Sequence, residues 1–219
     1  MSSQLIFKFP YKVKFLQQDF FVSQSNKECF DLIQCWPKWI KKTLNIFGPS
    51  GSGKSHLVSI FETKTSCEKI DCKNLSEEIF LRFKVKEALI IENTNDNINE
   101  NILYSLFNIT EQDNKYLLLT SNKPLKSYKF QLPDLKSRIN SCPSVEIKLP
   151  NDELLKVILS KRFSDKQILI DKKHIDFIIK RIDRSYEKIS QFVSMLDNSS
   201  LEKGKPFTLK IIKNVLEKL

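Results

Sequence analysis

Short apolar runs alternate with segments of helical periodicity up to about residue 149 of the chain. The apolar runs are rich in strand-forming residues and predict β-strands at 43–47, 67–71, 87–92, 116–122 and 144–149. Helical spacing predicts helices at 55–62, 76–83 and 100–109, with a short helix opening at Pro133. A further helix precedes the first strand, with Asn26 as its predicted N-cap and Pro37 as its stop. Strands that alternate with helices predict a parallel sheet.

The pattern changes at Pro150, after which no strand-like run follows. Amphipathic helices are predicted at 152–163, 171–182, 185–198 and 209–219. We therefore predict an extended N-terminal tail over residues 1–18, an α/β domain with a three-layer αβα core over 19–149, and a small all-helical domain over 150–219.

Glycine is concentrated directly after the first predicted strand, where three of the four glycines of the chain lie within eight residues. These residues fit the phosphate-binding pattern G-x-x-x-x-G-K-[ST] without a mismatch: Gly48, Pro49, Ser50, Gly51, Ser52, Gly53, Lys54 and Ser55. Between a strand and a helix, such a loop cradles nucleotide phosphates, with the lysine on the terminal phosphates and the serine hydroxyl on Mg²⁺. The alternative is a glycine turn before an ordinary helix.

Polar side chains stand where two of the predicted strands end. Glu92 closes the third apolar run, and three polar residues ending in Asn122 close the fourth. The carboxyl edge of a parallel sheet is where ligands bind, and Glu92 occupies the place of the acid that orients Mg²⁺ in P-loop enzymes. Asn93 follows where many ATPases carry a catalytic glutamate, which argues against vigorous hydrolysis. A strand-end cap is the alternative role of Asn122.

Charge and cysteine content change this picture little. The net charge is +10 and the pI about 9.3, but the cations are nearly all lysines spread along the whole chain, which indicates a solvated surface rather than a nucleic-acid track. Five cysteines with no C-x-x-C spacing predict reduced thiols in a cytosolic protein.

No apolar run is long enough to predict a membrane span. His56 and His174 are predicted to be packing residues, although His56 directly follows the glycine motif.

The N-terminal tail begins with a short apolar peptide at residues 4–10. Its residues predict either a strand lying on the domain or a docking peptide for a partner. The residues themselves do not decide between the two.

Several segments together resemble one family, the AAA+ proteins related to the replication initiator DnaA. They are the phosphate loop followed by His56-Leu57, the segment 132–139 (LPDLKSRI), residues 19–22 with Ser25-Asn26, and the closing helices. Within that family the chain resembles the Hda proteins, the regulatory inactivators of DnaA, over essentially its whole length. The resemblance implies an AAA+ core followed by a helical lid.

Site roles follow from the resemblance by position. It implies that Gln4, Leu5, Phe7 and Phe9 form a peptide that binds the replicase sliding clamp, which favours the docking alternative for the tail. In the core, the expected roles are nucleotide contacts for the phosphate loop and His56, an adenine contact for Phe21 and Val22, the Walker B acid for Glu92, the sensor 1 residue for Asn122, and an arginine finger acting in trans for Arg138.

The lid departs from the family pattern, because Glu187 stands where the sensor 2 arginine is expected. Either Arg184 or Lys188 would then replace it, or the lid does not contact the terminal phosphate. A surface salt bridge is the alternative role of Arg138.

The resemblance implies an adenine-nucleotide-binding regulator that uses ADP or ATP with Mg²⁺, docks on the sliding clamp, and stimulates ATP hydrolysis by DnaA. The sequence ends where an initiator continues into a helix-turn-helix domain, so we expect contact with DNA only through partners. A second copy of the chain is a further candidate partner. The alternatives are a helicase loader of the same superfamily and a stand-alone P-loop ATPase or small-molecule kinase.

Overall fold

The computed structural model describes residues 20–168, 170–203 and 208–219, except for the side chains of 199–203. Its strands form one five-stranded sheet in which every pair is parallel, in the order β2-β3-β4-β1-β5. The strands are β1 (Thr43–Phe47), β2 (Cys67–Asp71), β3 (Ala88–Thr94), β4 (Tyr116–Ser121) and β5 (Ser144–Glu146). The predicted parallel sheet is confirmed.

Helices connect successive strands and continue beyond the last one. In the sheet region they are α1 (Lys27–Cys35), α2 (Lys54–Glu62), α3 (Ile79–Lys84), α4 (Glu100–Gln112) and α5 (Pro133–Ser141). After β5 come α6 (Asp152–Asp165), α7 (Lys172–Ile179), α8 (Tyr186–Lys203) and α9 (Leu209–Leu216). Among the described helices, none is long and apolar enough to cross a bilayer.

Alternate residues of the central strands pack into two different cores, because successive side chains of a strand point to opposite faces. Leu89 and Ile91 of β3 join the core formed with α3, α4 and α5, whereas Ala88 and Ile90 join the core formed with α1 and α2. All four side chains are fully buried. Burial on both faces explains why the strands read as continuous apolar runs, and it gives the three-layer αβα arrangement.

The helices after β5 enclose a core of their own. Its buried members come from α6 to α9 and from the turns between them, and they include Phe163, Ile178, Phe192 and Ile212. No residue of this cluster belongs to either sheet core. The last four helices are called the lid below.

Two predicted strand ends are wrong, and each for a local reason. β3 does not stop at Glu92 but continues to Thr94, because Thr94 pairs with Ser121 of β4 after a register shift in which Asn93 takes a positive φ of 59°. β5 ends at Glu146 rather than near residue 149, because the chain leaves the sheet: the Lys148 N–H donates to the Ser25 carbonyl instead.

Helix ends also differ from those predicted. α3 begins at Ile79, three residues later than expected, after a turn closed by the Ile79 N–H and the Ser76 carbonyl. α8 continues to Lys203 rather than ending near residue 198, and α7 ends at Ile179 rather than near residue 182. Asn26 occupies the predicted N-cap position of α1, but its side chain makes no capping hydrogen bond.

Candidate functional site

The phosphate-loop sequence forms the turn between β1 and α2, and two of its glycines require their lack of a side chain. Gly51 and Gly53 have φ of 77° and 99°, a region that other residues rarely adopt. A Cβ on Gly51 would lie 3.3 Å from the Cβ of Tyr186 on α8, and one on Gly53 would lie 3.5 Å from Phe20. The loop therefore touches both the lid and the segment before α1.

Lys54 is the first residue of α2, directly after this turn, and backbone carbonyls of the turn hold its side chain. Its ammonium donates to the carbonyls of Gly48 and Pro49 at 2.7 and 2.9 Å and to Asn122 Oδ1 at 3.2 Å. Burial lowers the pKa of Lys54, and the nearby Glu92 carboxylate partly opposes that shift. The lysine thus connects the loop to the end of β4.

Ser55 and Glu92 meet across the carboxyl edge of the sheet. The Ser55 hydroxyl donates to Glu92 Oε1 at 2.8 Å. A hydroxyl and a carboxylate supply only oxygen ligands, which is the donor type that Mg²⁺ prefers. These two side chains therefore fit a Mg²⁺ ion that is shared with a phosphate.

Asn122 is positioned by a buried asparagine that sequence reasoning missed. Asn45, in the middle of β1, is fully buried, and its amide donates to the Leu119 carbonyl at 3.3 Å and to Ser121 Oγ at 3.0 Å. Ser121 Oγ in turn donates to the Lys123 carbonyl at 2.7 Å. The loop that carries Asn122 is thereby fixed on both sides. An asparagine within an apolar strand was the available signal.

Asn93 is directed to the end of β2. Its side-chain amide donates to Asp71 Oδ2 at 2.7 Å. This hydrogen bond, with help from the Lys73 N–H, lowers the pKa of Asp71. The position next to Glu92 therefore carries an amide that is paired with a carboxylate.

A cavity of about 340 Å³ opens between the phosphate loop and the lid. Its volume lies within the range of about 300–1,000 Å³ that is typical of small-molecule sites. The lining is largely apolar and comes from three parts of the chain: the segment before α1, the phosphate loop with α2, and the lid. The first part supplies Phe20, Phe21 and the N-cap residue Asn26, and the second supplies Gly51, Ser52, Gly53 and His56. The lid supplies Leu154, Val157, Ile158, Lys161, Arg162, Asp165 and Tyr186.

Ser52 contributes to this lining a buried side-chain oxygen that has no hydrogen-bond partner among the described residues. The hydroxyl oxygen of Ser52 is buried and unpaired, although buried polar atoms are normally satisfied. With two glycines that admit close approach of a ligand, and with apolar walls beside them, the loop and cavity fit a nucleotide whose phosphates meet the loop.

The structure brings some predicted residues to this cavity and not others. Phe21 and His56 line it, whereas Val22 and Arg184 do not. Arg184 forms an ion pair with Asp152 at 2.8 Å on the surface. Ser50 of the phosphate loop is exposed.

Sequence reasoning missed the lid face of α6 and the residue Phe20. Phe20 stacks on Phe30 with ring centroids 5.6 Å apart and makes an edge contact with His56 at 5.1 Å. The α6 residues recur every three or four positions from Leu154 to Asp165, a helical face that was visible only as amphipathicity.

The segment before α1 is fixed against the start of the lid. The Asn26 side chain accepts from the Ser23 N–H at 2.8 Å and donates to the Phe21 carbonyl at 2.9 Å. The Ser25 hydroxyl donates to the Leu149 carbonyl at 2.9 Å. Asn26 therefore shapes the wall of the cavity that Phe20 and Phe21 form.

Arg138 lies outside the cavity lining. On α5, its guanidinium forms an ion pair with Glu111 and donates to Asn108 Oδ1 at 3.1 Å, both on α4. One third of the Arg138 side chain is exposed. The predicted clamp-binding residues Gln4, Leu5, Phe7 and Phe9 lie outside the described residues.

Comparison with known proteins relates the chain to replication initiators at low identity. No protein-family model matches it. The chromosomal replication initiator protein DnaA of Borrelia turicatae is 25% identical over 236 residues, which cover 94% of the chain and 49% of that protein. The chain thus spans about half the length of the curated relatives it matches.

Solved structures share the fold. Domain III of Thermotoga maritima DnaA matches with a TM-score of 0.77 and 18% identity over 96% of this chain and 98% of that one. AMPPCP-bound DnaA from Aquifex aeolicus matches with a TM-score of 0.68 and 15% identity over 87% and 67%. The Thermotoga maritima Holliday-junction branch migration motor RuvB gives a TM-score of 0.67 and 17% identity over 90% and 70%.

The sequence comparison and the structure comparison both point to DnaA. The sequence relatives are DnaA initiators, and the architecture found in DnaA domain III and in RuvB has the same α/β core. The chain has the AAA+ fold and is similar in sequence to the DnaA initiators.

Proposed function

We propose that this protein is an adenine-nucleotide-binding regulator of replication initiation that docks on the sliding clamp and stimulates ATP hydrolysis by DnaA. One observation carries the proposal: the chain has a complete phosphate loop beside its own cavity, while its candidate arginine finger, Arg138, lies outside the lining of that cavity. A protein built in this way holds one nucleotide and has a cation to offer to another.

The phosphate loop holds the phosphates of ADP or ATP. Lys54 exchanges its two carbonyl partners for phosphate oxygens, which are stronger acceptors because they are charged. The Ser52 hydroxyl gains the partner that it lacks. Phe20 and Phe21 provide an apolar wall for the base. When bound, Mg²⁺ neutralises phosphate charge, and Ser55 and Glu92 would hold it.

Hydrolysis by this chain itself is weak under the proposal. Asn93 cannot act as a base toward an attacking water, because an amide does not take up a proton at neutral pH. In addition, its side-chain N–H already donates a hydrogen bond to Asp71. The bound nucleotide therefore serves mainly to organise the core and the lid.

Arg138 contributes the chemistry in trans. Its present partners on α4 are the exposed Glu111 and the half-buried Asn108, and exposed ion pairs contribute only about 0–1 kcal/mol. Arg138 can therefore leave Glu111 for the phosphate of a neighbouring protomer at a small cost in free energy. Arginine suits this role because its planar fork can bond two phosphate oxygens while keeping its charge.

Docking on the clamp is assigned to the tail residues Gln4, Leu5, Phe7 and Phe9. An extended peptide with a polar anchor and apolar side chains can fill pockets on a partner surface. Burial of Leu5 and Phe9 contributes about 1.5–3 kcal/mol each. The tail and Arg138 would then act together, the first by placing the protein at loaded DNA and the second by acting on DnaA.

The relatives of this chain support a role in replication initiation. The curated relatives are DnaA proteins of about twice this length, and the Aquifex DnaA neighbour is AMPPCP-bound. We expect a core that shares the fold of DnaA domain III to be able to pack against a DnaA protomer.

A retention experiment tests the proposal. The protein is immobilised with ADP or ATP and Mg²⁺ and offered purified clamp, DnaA and replicative helicase separately. We expect clamp and DnaA to be retained, and clamp to be lost from the Leu5→Ala, Phe9→Ala double variant. Retention of helicase without clamp would instead favour the helicase-loader alternative, and rapid ATP turnover by the isolated protein would favour a stand-alone ATPase.

A further inference from the structure

Arg162 is a cation in the cavity lining that no part of the proposed function yet uses. It lies on α6, is half-buried, and lines the same cavity as Gly51, Ser52 and Gly53. Its guanidinium makes no hydrogen bond, ion pair or ring contact with the described residues. An arginine carries five donors and is always charged, so this is an unusual state for a half-buried side chain.

Burial of that charge is unfavourable without a partner. Desolvation lowers the pKa of Arg162, and the attraction of Asp165, which stands one turn further along α6, opposes that shift only in part. Asp165 also lines the cavity but forms no ion pair with Arg162. A charge in such a place is stabilised by an anionic ligand.

The two lid cations expected to replace the sensor 2 arginine are already engaged. Arg184 pairs with Asp152, and Lys188 donates to the carbonyl of Leu219. Neither lines the cavity. Lys161 does line it but already takes part in another interaction. Among the described lid residues, Arg162 is therefore the cation that is both at the cavity and unengaged.

We propose that Arg162 binds the phosphates of the nucleotide, so that α6 supplies the lid cation of this site. The inference rests on the proposed function, since it requires a nucleotide in the cavity. Its physical basis is the pairing of an unengaged bidentate donor with the phosphate oxygens that the neighbouring loop holds. The phosphates then connect the phosphate loop to the lid, and loss of the phosphates loosens that connection.

Binding of ATP, ADP and adenosine to the whole 219-residue chain tests this. We compare the parent with Arg162→Gln, which removes the charge but keeps the length of the side chain, and with Arg162→Lys. Lys156→Gln is the matched control, because it removes a lysine from the same helix whose only described partner is the exposed Asp176. Affinities come from calorimetry for the nucleotides and from thermal-shift titration for adenosine.

We expect Arg162→Gln to weaken ATP and ADP binding at least tenfold, to leave adenosine within twofold, and Arg162→Lys to recover part of the loss. Lys156→Gln should match the parent. An equal loss for all three ligands would overturn the inference and place Arg162 at the base or in lid packing. Unchanged affinity would overturn it as well. Failure of the parent to bind ADP would reject the proposed function, a result distinct from these.

Discussion

The ammonium of Lys54 shows how single residues prepare this site for a phosphate. It is largely buried and satisfied by two loop carbonyls and by Asn122, so the loop keeps its shape before a ligand arrives. Lysine and glycine positions of this kind could be predicted from the sequence, because the motif has a fixed spacing. The pairing of Asn93 with Asp71 could not, because it joins two strands 22 residues apart in sequence.

At this scale we predict that Lys54→Ala lowers ADP affinity by at least tenfold. The reason is that the substitution removes a charge-assisted contact to phosphate. Titration calorimetry measures the affinity, and Lys123→Ala, which removes an exposed lysine next to Asn122, serves as the control. Equal affinity of the Lys54 variant and the control would contradict the role of the loop.

A second residue-scale prediction concerns Asp71. Asn93→Gly removes the donated amide but keeps a residue that tolerates the positive φ, so the pKa of Asp71 should rise toward its ordinary value. Because the folded-state pKa lies below the unfolded value of about 3.9, the contact stabilises the fold above that pH. The stability is lost as the pH falls through the folded-state pKa. NMR titration of the carboxyl carbon measures the shift; an unchanged pKa would show that the amide is not its cause.

Among the elements, β1 and β4 are joined by a polar network inside an apolar sheet. Asn45 bonds to groups of β4 and also accepts from the Ser144 hydroxyl at 3.3 Å and the Leu125 N–H at 3.4 Å. Strand positions followed from apolar runs, whereas this network did not, because its partners come from three separate segments. The α6 face at the cavity was missed for the same reason, because the phosphate loop and the segment before α1, which line the cavity with it, lie far away in the sequence.

We predict that Asn45→Leu lowers the free energy of unfolding and weakens nucleotide binding together. Each buried group left without a partner costs about 1–3 kcal/mol, and the loop that carries Asn122 loses its support. Chemical denaturation measures the first effect and calorimetry the second. Asn101→Leu on α4, where the side chain is exposed, is the control. A variant as stable as the control would show that the network is dispensable.

For the whole molecule, the lid and the α/β domain enclose the cavity between two separate cores. Tyr186 joins them: its hydroxyl donates to the Lys148 carbonyl at 3.2 Å, its backbone packs near Gly51, and burial raises its pKa to about 12. The division into an α/β part and a helical part could be predicted, because the strand pattern stops in the sequence. The contact between the lid and the phosphate loop could not be predicted, because it joins residues that only the folded chain brings together. Arg138, on α5, lies partly exposed on the surface of the α/β domain.

Single-turnover hydrolysis of ATP by DnaA, in the presence of DNA-loaded clamp, tests the central claim most directly. The parent is compared with Arg138→Ala, Arg138→Lys and the control Arg82→Ala, which removes an arginine that is also exposed and ion-paired. We expect the parent and the control to stimulate hydrolysis, and both Arg138 variants to lose most of the stimulation while they still bind nucleotide and clamp. Stimulation by Arg138→Ala equal to that of the parent would contradict the account and leave Arg138 as a surface salt-bridge residue.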